Sequence, residues 1–129
     1  MRPTSGLLKA VNTPSVSSLL LAPFDVVVVP FPFTDRNAPK RRPVLVLTHS
    51  IFNQAVQQAV LAMITSAEQS SWPGDRALDD IDAAGLPAAC LIRLKLFTLD
   101  QRLILRKAGT LGAADQKKLR SRWKLLLAI

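Results

Sequence analysis

The run Asp25-Val26-Val27-Val28-Val29-Pro30-Phe31 constrains the fold more than any other segment. Four consecutive β-branched residues favour an extended backbone, because branching at Cβ crowds the preceding turn of a helix. They do not alternate with polar residues, so the strand is apolar on both sides and needs cover on both faces. A chain of 129 residues that is 49% apolar can supply that cover within one domain.

Further extended segments follow. Arg42–Thr48 reads as a second strand and Val56–Ile64 as a third. Residues 77–80 read as a short strand. Ala89–Leu96 alternates, with Arg93 and Lys95 on one face, and Leu103–Leu111 gives the last strand. Residues 32–40 form a loop punctuated by Pro and Asn. His49–Gln54 reads as a turn or one helical turn, and Ile81–Gly85 as a single turn that ends on Gly85. Ala113–Ala128 is the clearest helix, with Leu119, Trp123, Leu126 and Leu127 on one apolar stripe. Strands followed by one terminal helix predict a mainly β fold, a small barrel or curled sheet with the helix packed on it. The sequence contains no internal repeat.

Residues 1–23 differ from the rest. They are rich in Ser, Thr and Pro, and Lys9, Asn12 and Pro14 interrupt any apolar stretch. That argues against a signal peptide or a membrane span there and predicts a flexible leader or extension, with a targeting segment as the alternative, before a single domain at 24–129. One Cys and one His exclude a disulfide framework, a Cys-rich zinc site and a multi-His metal site. The expected compartment is the cytoplasm. No motif for a cofactor or metal is present, and none is expected.

The formal net charge is +8, which points first to a polyanion such as nucleic acid and second to an acidic protein. The charge is uneven. Arg36, Lys40, Arg41 and Arg42 cluster with no acid among residues 36–64, whereas residues 65–92 are acidic except for Arg76. Basic residues dominate again from Gln101 to the end, as on a solvated helix face.

Arg42 precedes Pro43, which forces an extended backbone and presents the guanidinium at a loop–strand junction. That fork of donors matches phosphate oxygens. Thr65 closes Met63-Ile64, so its hydroxyl emerges at a strand end. An Arg and a hydroxyl suffice for attack of an RNA 2′-OH on its own phosphate, since the substrate brings the nucleophile. Spacing alone favours a solubilising loop and an ordinary turn over this pair. His49 reads as a turn residue and Cys90 as a small buried hydrophobe. Trp123 reads as core. Trp72, in a polar loop, reads as packing over the sheet edge, with base stacking as the alternative.

Five segments in register resemble one family: Phe24-Asp-Val-Val-Val-Val-Pro-Phe-Pro-Phe-Thr-Asp35, Lys40-Arg-Arg-Pro-Val-Leu-Val-Leu47, Leu61-Ala-Met-Ile-Thr-Ser66, Trp72-Pro-Gly-Asp75 and Arg93-Leu-Lys-Leu-Phe-Thr-Leu-Asp100. This is the pattern of the MazF/PemK toxins of toxin–antitoxin systems, over about Phe24 to Leu127. The resemblance implies an SH3-like curled β-barrel of the CcdB/MazF type with a C-terminal helix, usually a homodimer. It implies a metal-independent endoribonuclease acting on single-stranded RNA at short sequences and leaving 2′,3′-cyclic phosphate and 5′-hydroxyl ends. The family's catalytic Arg falls on Arg42 and its catalytic hydroxyl on Thr65. RNA contacts would come from Thr34, Lys40, Arg41, Ser66, Arg93 and Lys95. An acidic antitoxin would occupy the same groove.

Three departures stand out. Phe24 replaces the family's usual Gly, Arg36–Lys40 replaces a Gly-rich loop, and Lys95 stands where some branches carry an acid. Two other readings therefore remain at this point: a CcdB-like gyrase poison, and an inactive relative that binds nucleic acid or antitoxin.

Overall fold

Val26 to Val29 form the middle of β1 (Asp25–Phe31), and all four side chains are buried. The computed structural model describes residues 20–32, 36, 40–68 and 71–129. The remaining strands are β2 (Lys40–Val46), β3 (Gln58–Ser66), β4 (Arg76–Ala77), β5 (Cys90–Asp100) and β6 (Arg106–Thr110). They make one antiparallel sheet in the order β4-β5-β3-β2-β1-β6. Two helices complete the described residues, α1 (Ser50–Val56) and α2 (Ala113–Leu127). This is the curled, mainly β architecture with a C-terminal helix that the sequence predicts.

Both faces of the sheet are covered. On one, Val26, Leu45, Ala62, Ile64 and Ile92 pack against Leu119 and Trp123 of α2. On the other, Val27, Val29, Val44, Val46 and Leu61 pack against Leu21, Leu99 and Ile104. Each fully buried Val or Leu contributes about 1.5–3 kcal/mol relative to an exposed one, so the uninterrupted apolar run in β1 is used twice over.

Leu21, within the expected leader, is part of the core. It is 1% exposed, and its carbonyl accepts from Asn53 Nδ2 at 3.0 Å. Leu21 thus packs with the core ahead of residue 24, and residues 1–19 of the expected leader lie outside the described residues.

Residues 50–56 form a seven-residue helix, longer than the turn or single helical turn expected over 49–54, and β3 starts at Gln58 rather than at Val56. His49 Nδ1 accepts the Ile51 N–H at 3.1 Å as the cap, and Gln57 ends the helix with φ +58°. Asn53 is buried in α1 and also donates to the Thr48 carbonyl. β2 starts two residues earlier than expected and ends at Val46. β5 runs on to Asp100, whose carboxylate accepts the Arg102 N–H and starts a 3₁₀ turn, Gln101–Leu103. That turn delays β6 to Arg106.

The expected turn at Gly85 is present. Its φ is +73°, and an added Cβ would lie 2.1 Å from the Ala108 carbonyl oxygen, so the backbones touch there. Asp115, buried in the first turn of α2, accepts the backbone N–H groups of Asp79 and Asp80. A carboxylate also suits that end of the helix dipole. The α2 stripe is only half covered: Leu119 and Trp123 are buried, while Leu126 and Leu127 stay 48% and 37% exposed. No helix among the described residues is long and apolar enough to cross a membrane.

Asp79 joins the segment after β4 to α2, accepting from Lys118 Nζ at 2.9 Å and Arg76 at 3.2 Å. The Lys118 hydrogen bond and charge hold its carboxyl below the ordinary value, with Arg76 adding to this and partial burial opposing. A depressed folded-state value stabilises above the unfolded value and is lost as pH falls through the folded one. Asp79→Asn should therefore flatten the fall in melting temperature below about pH 4. Leu21→Ala should cost about 3 kcal/mol in urea unfolding; a change near zero would remove Leu21 from the core.

Candidate functional site

Alternation along each strand decides what reaches the second face. Arg42 lies opposite Val29, Val44 opposite Met63, and Met63 opposite Arg93. The apolar cover of that face ends at this row. Beyond it Phe31, Arg42, Met63, Thr65, Arg93 and Lys95 line a cleft of about 260 Å³. The β2–β3 offset that pairs Val44 with Met63, carried two residues further, sets Arg42 across from Thr65.

The Arg42 guanidinium lies 4.8 Å from the Phe31 ring centroid. Among the described residues it has no carboxylate partner. Thr65 is half-buried beside it.

Arg93 is held differently. Its Nε and one terminal nitrogen donate to the two oxygens of Asp75 at 3.1 and 3.0 Å. The two side chains are 14% and 10% exposed. The hydrogen bond to Asp75, with its charge, raises the guanidinium above its ordinary value against the opposing effect of burial. The same carboxylate accepts the Trp72 N–H at 3.0 Å, and the Asp75 N–H returns to the Trp72 carbonyl. From below, Trp123 Nε1 donates to the Gly74 carbonyl at 3.1 Å. The loop 72–75 is thus fixed to both the sheet and the helix.

Lys95 enters through an irregularity in β5. Met63 pairs with Arg93 but Ala62 pairs with Leu96, which leaves Leu94 and Lys95 extra on β5. Leu94 packs into the helix-side core, and Lys95 points to the cleft side with Nζ 5.8 Å from the Trp72 ring. An extra segment of this kind re-aims side chains at a strand.

The structure thus brings Arg42, Thr65, Arg93 and Lys95 to one cleft. Other predicted residues lie elsewhere. Arg41 pairs with Pro30 and faces the opposite side, where it lines a separate cleft of about 450 Å³ with Val28 and Arg106. Period-two alternation separates it from Arg42. Lys40 shares the Arg42 face and pairs with Phe31 at the start of β2, but it is exposed and does not line the cleft. Ser66 is exposed, and its hydroxyl accepts the Glu68 N–H at 3.2 Å within a turn. Thr34 lies outside the described residues. His49 serves as a helix cap, and burial pushes the Cys90 thiol up. Sequence reasoning missed Asp75 as the acid paired with Arg93. The two are eighteen positions apart, and only the Trp72-Pro-Gly-Asp75 segment signalled it. No group of three or more His, Cys, Asp or Glu among the described residues is placed to hold a metal ion.

A family model described as PemK-like, MazF-like toxin of type II toxin–antitoxin system matches residues 22–127. The chain belongs to this toxin family. No curated protein matches it. Its fold is similar to solved structures of low identity. One is a mycobacterial endoribonuclease in complex with its cognate antitoxin, with TM-score 0.66 and 14% identity, covering 85% of this chain and 95% of that one. Another is MazE–MazF from Deinococcus radiodurans, with TM-score 0.66 and 18% identity, covering 87% and 99%. A third is the Mycobacterium tuberculosis toxin MazF-mt6, with TM-score 0.64 and 18% identity, covering 81% and 97%.

In this PemK/MazF-family chain, Asp75 organises Arg93 and Trp72 together. Asp75→Ala and Arg93→Ala should each lower the melting temperature, and the double variant should lose less than the sum. Strict additivity would show that the pair is not coupled.

Proposed function

We propose that this chain is an endoribonuclease toxin that cleaves single-stranded RNA at short sequences. The observation that carries the reading is Arg42, a half-buried guanidinium with no carboxylate partner among the described residues, beside the Thr65 hydroxyl. A cation so placed is available to an anion. Toxins of this family are endoribonucleases, which supports the reading.

In the proposed reaction the RNA 2′-oxygen forms a bond to the adjacent phosphorus and the bond from phosphorus to O5′ breaks. The 2′-hydroxyl loses its proton and O5′ gains one. The products are a 2′,3′-cyclic phosphate and a 5′-hydroxyl. Arg42 donates to the phosphoryl oxygens as charge grows on them, and Thr65 hydrogen-bonds the same phosphate. Arg93, fixed by Asp75, and Lys95 add positive potential along the cleft. The substrate supplies the nucleophile and these side chains supply the charge, so the reaction is assigned as metal-independent.

The same reading gives the toxin two protein partners. An acidic antitoxin segment competes with RNA for the cleft cations; the mycobacterial and Deinococcus neighbours were solved with antitoxin bound. A second copy of this chain pairs through the uncovered apolar end of α2, where Leu127 and Ile129 join Phe24, Leu47 and Leu96 around a groove of about 630 Å³. The toxin acts in the cytoplasm, where mRNA is.

The purified protein should cut a long RNA in EDTA. Arg42→Ala should lower the rate by about 10²–10³-fold, the usual cost of removing one transition-state donor, with the melting temperature unchanged. Thr65→Val should also slow cleavage. Wild-type cutting by Arg42→Ala would overturn the site assignment.

A further inference from the structure

We propose that Trp72, flanked by Arg93 and Lys95, is a stacking platform for an unpaired base of the RNA next to the scissile phosphate. This rests on the RNA-cleavage reading and names a residue for it. Trp72 is 41% exposed, an unusual position for a large indole with no core to fill. Arg93 and Lys95 line the cleft, and both also lie over this ring, at 5.4 and 5.8 Å from its centroid. The cleft therefore ends against an aromatic residue on each side, Phe31 on β1 and Trp72 beyond β5. Three strand steps of about 4.8 Å separate β1 from β5, roughly 14 Å in all. That span admits more than the single phosphate that Arg42 and Thr65 would hold.

The platform is preorganised. The Asp75 carboxylate takes the Trp72 N–H and both Arg93 donors, and Trp123 holds Gly74 from beneath. An added Cβ at Gly74 would lie 2.8 Å from Leu126 Cδ1, so the loop is seated directly on the helix. Little ordering entropy remains to be lost when a base arrives. Lys95 has no carboxylate partner among the described residues. It can leave the ring for the phosphate of the incoming nucleotide, while Arg93 stays on Asp75. A π-face beside two cations suits an unpaired nucleotide of any sequence, because every base can stack. An acidic peptide would use the cations but not the ring.

The test compares Trp72→Leu, which keeps apolar bulk, with Trp72→Phe, which keeps an aromatic face. Both are assayed on the full chain with a single-stranded RNA substrate in EDTA. Trp72→Leu should raise KM about 10-fold or more, with kcat changing less, and Trp72→Phe should stay near the wild-type KM. A non-cleavable 2′-deoxy oligonucleotide should quench the wild-type tryptophan emission, and that saturable quench should vanish in Trp72→Phe, leaving only buried Trp123. Equal KM for the two variants would overturn the platform while leaving the nuclease standing. Absence of cleavage by the wild type would remove the RNA reading and the platform with it.

Discussion

Four consecutive valines in one central strand must be covered on both sides, and the rest of the fold answers that demand. Val26 and its neighbours require α2, which brings Leu119 and Trp123 across one face. Val27 and Val29 require a second cover, which Leu21 and Ile104 provide. The second cover is short. It ends at Val29, Val44 and Met63, and the next side chains on that face are Arg42 and Thr65. An arginine under an apolar cover would need a buried anion to offset its desolvation. The gap in the cover and the presence of Arg42 are therefore one feature seen from two sides.

Charge follows the same logic. The acidic stretch 65–92 looks in sequence like an offset to the basic loop, yet three of its five carboxylates are spent locally. Asp75 holds Arg93, Asp79 holds Arg76 and Lys118, and an Asp80 oxygen accepts the Ala83 N–H. Arg42 and Lys95 keep no such partner among the described residues, so part of the net charge of +8 faces the cleft. A polyanion meets a focused potential there rather than a diffuse one.

What could be read from the sequence was what local pattern decides. The valine strand, the turn ending on Gly85 and the terminal helix each follow from spacing and residue type. The helix at Ser50–Val56 does not, because part of its hold is Asn53 bonding to Leu21 from thirty-two positions away. The place of Leu21 in the core is illegible in the sequence for the same reason. Arg41 and Arg42 look alike in sequence, but adjacent strand residues face opposite sides, and only one reaches the cleft. Asp75 was hidden by its distance in sequence from Arg93. Phe24 gains an explanation: its φ of +72° is the left-handed conformation that favours glycine. The strain is about 1–2 kcal/mol for a non-glycine residue, and the ring, packed against the helix-side core beneath Arg120 at 5.0 Å, offsets part of it.

The central claim is that the cleft supplies charge and position while the RNA supplies the nucleophile. The most direct measurement places a single 2′-deoxy nucleotide immediately 5′ of a mapped cut in an otherwise unmodified RNA. The account predicts that cleavage at that bond stops, that the oligonucleotide still binds, and that unmodified RNA yields 2′,3′-cyclic phosphate and 5′-hydroxyl ends. Continued cleavage at the deoxy position, with 5′-phosphate ends, would contradict it.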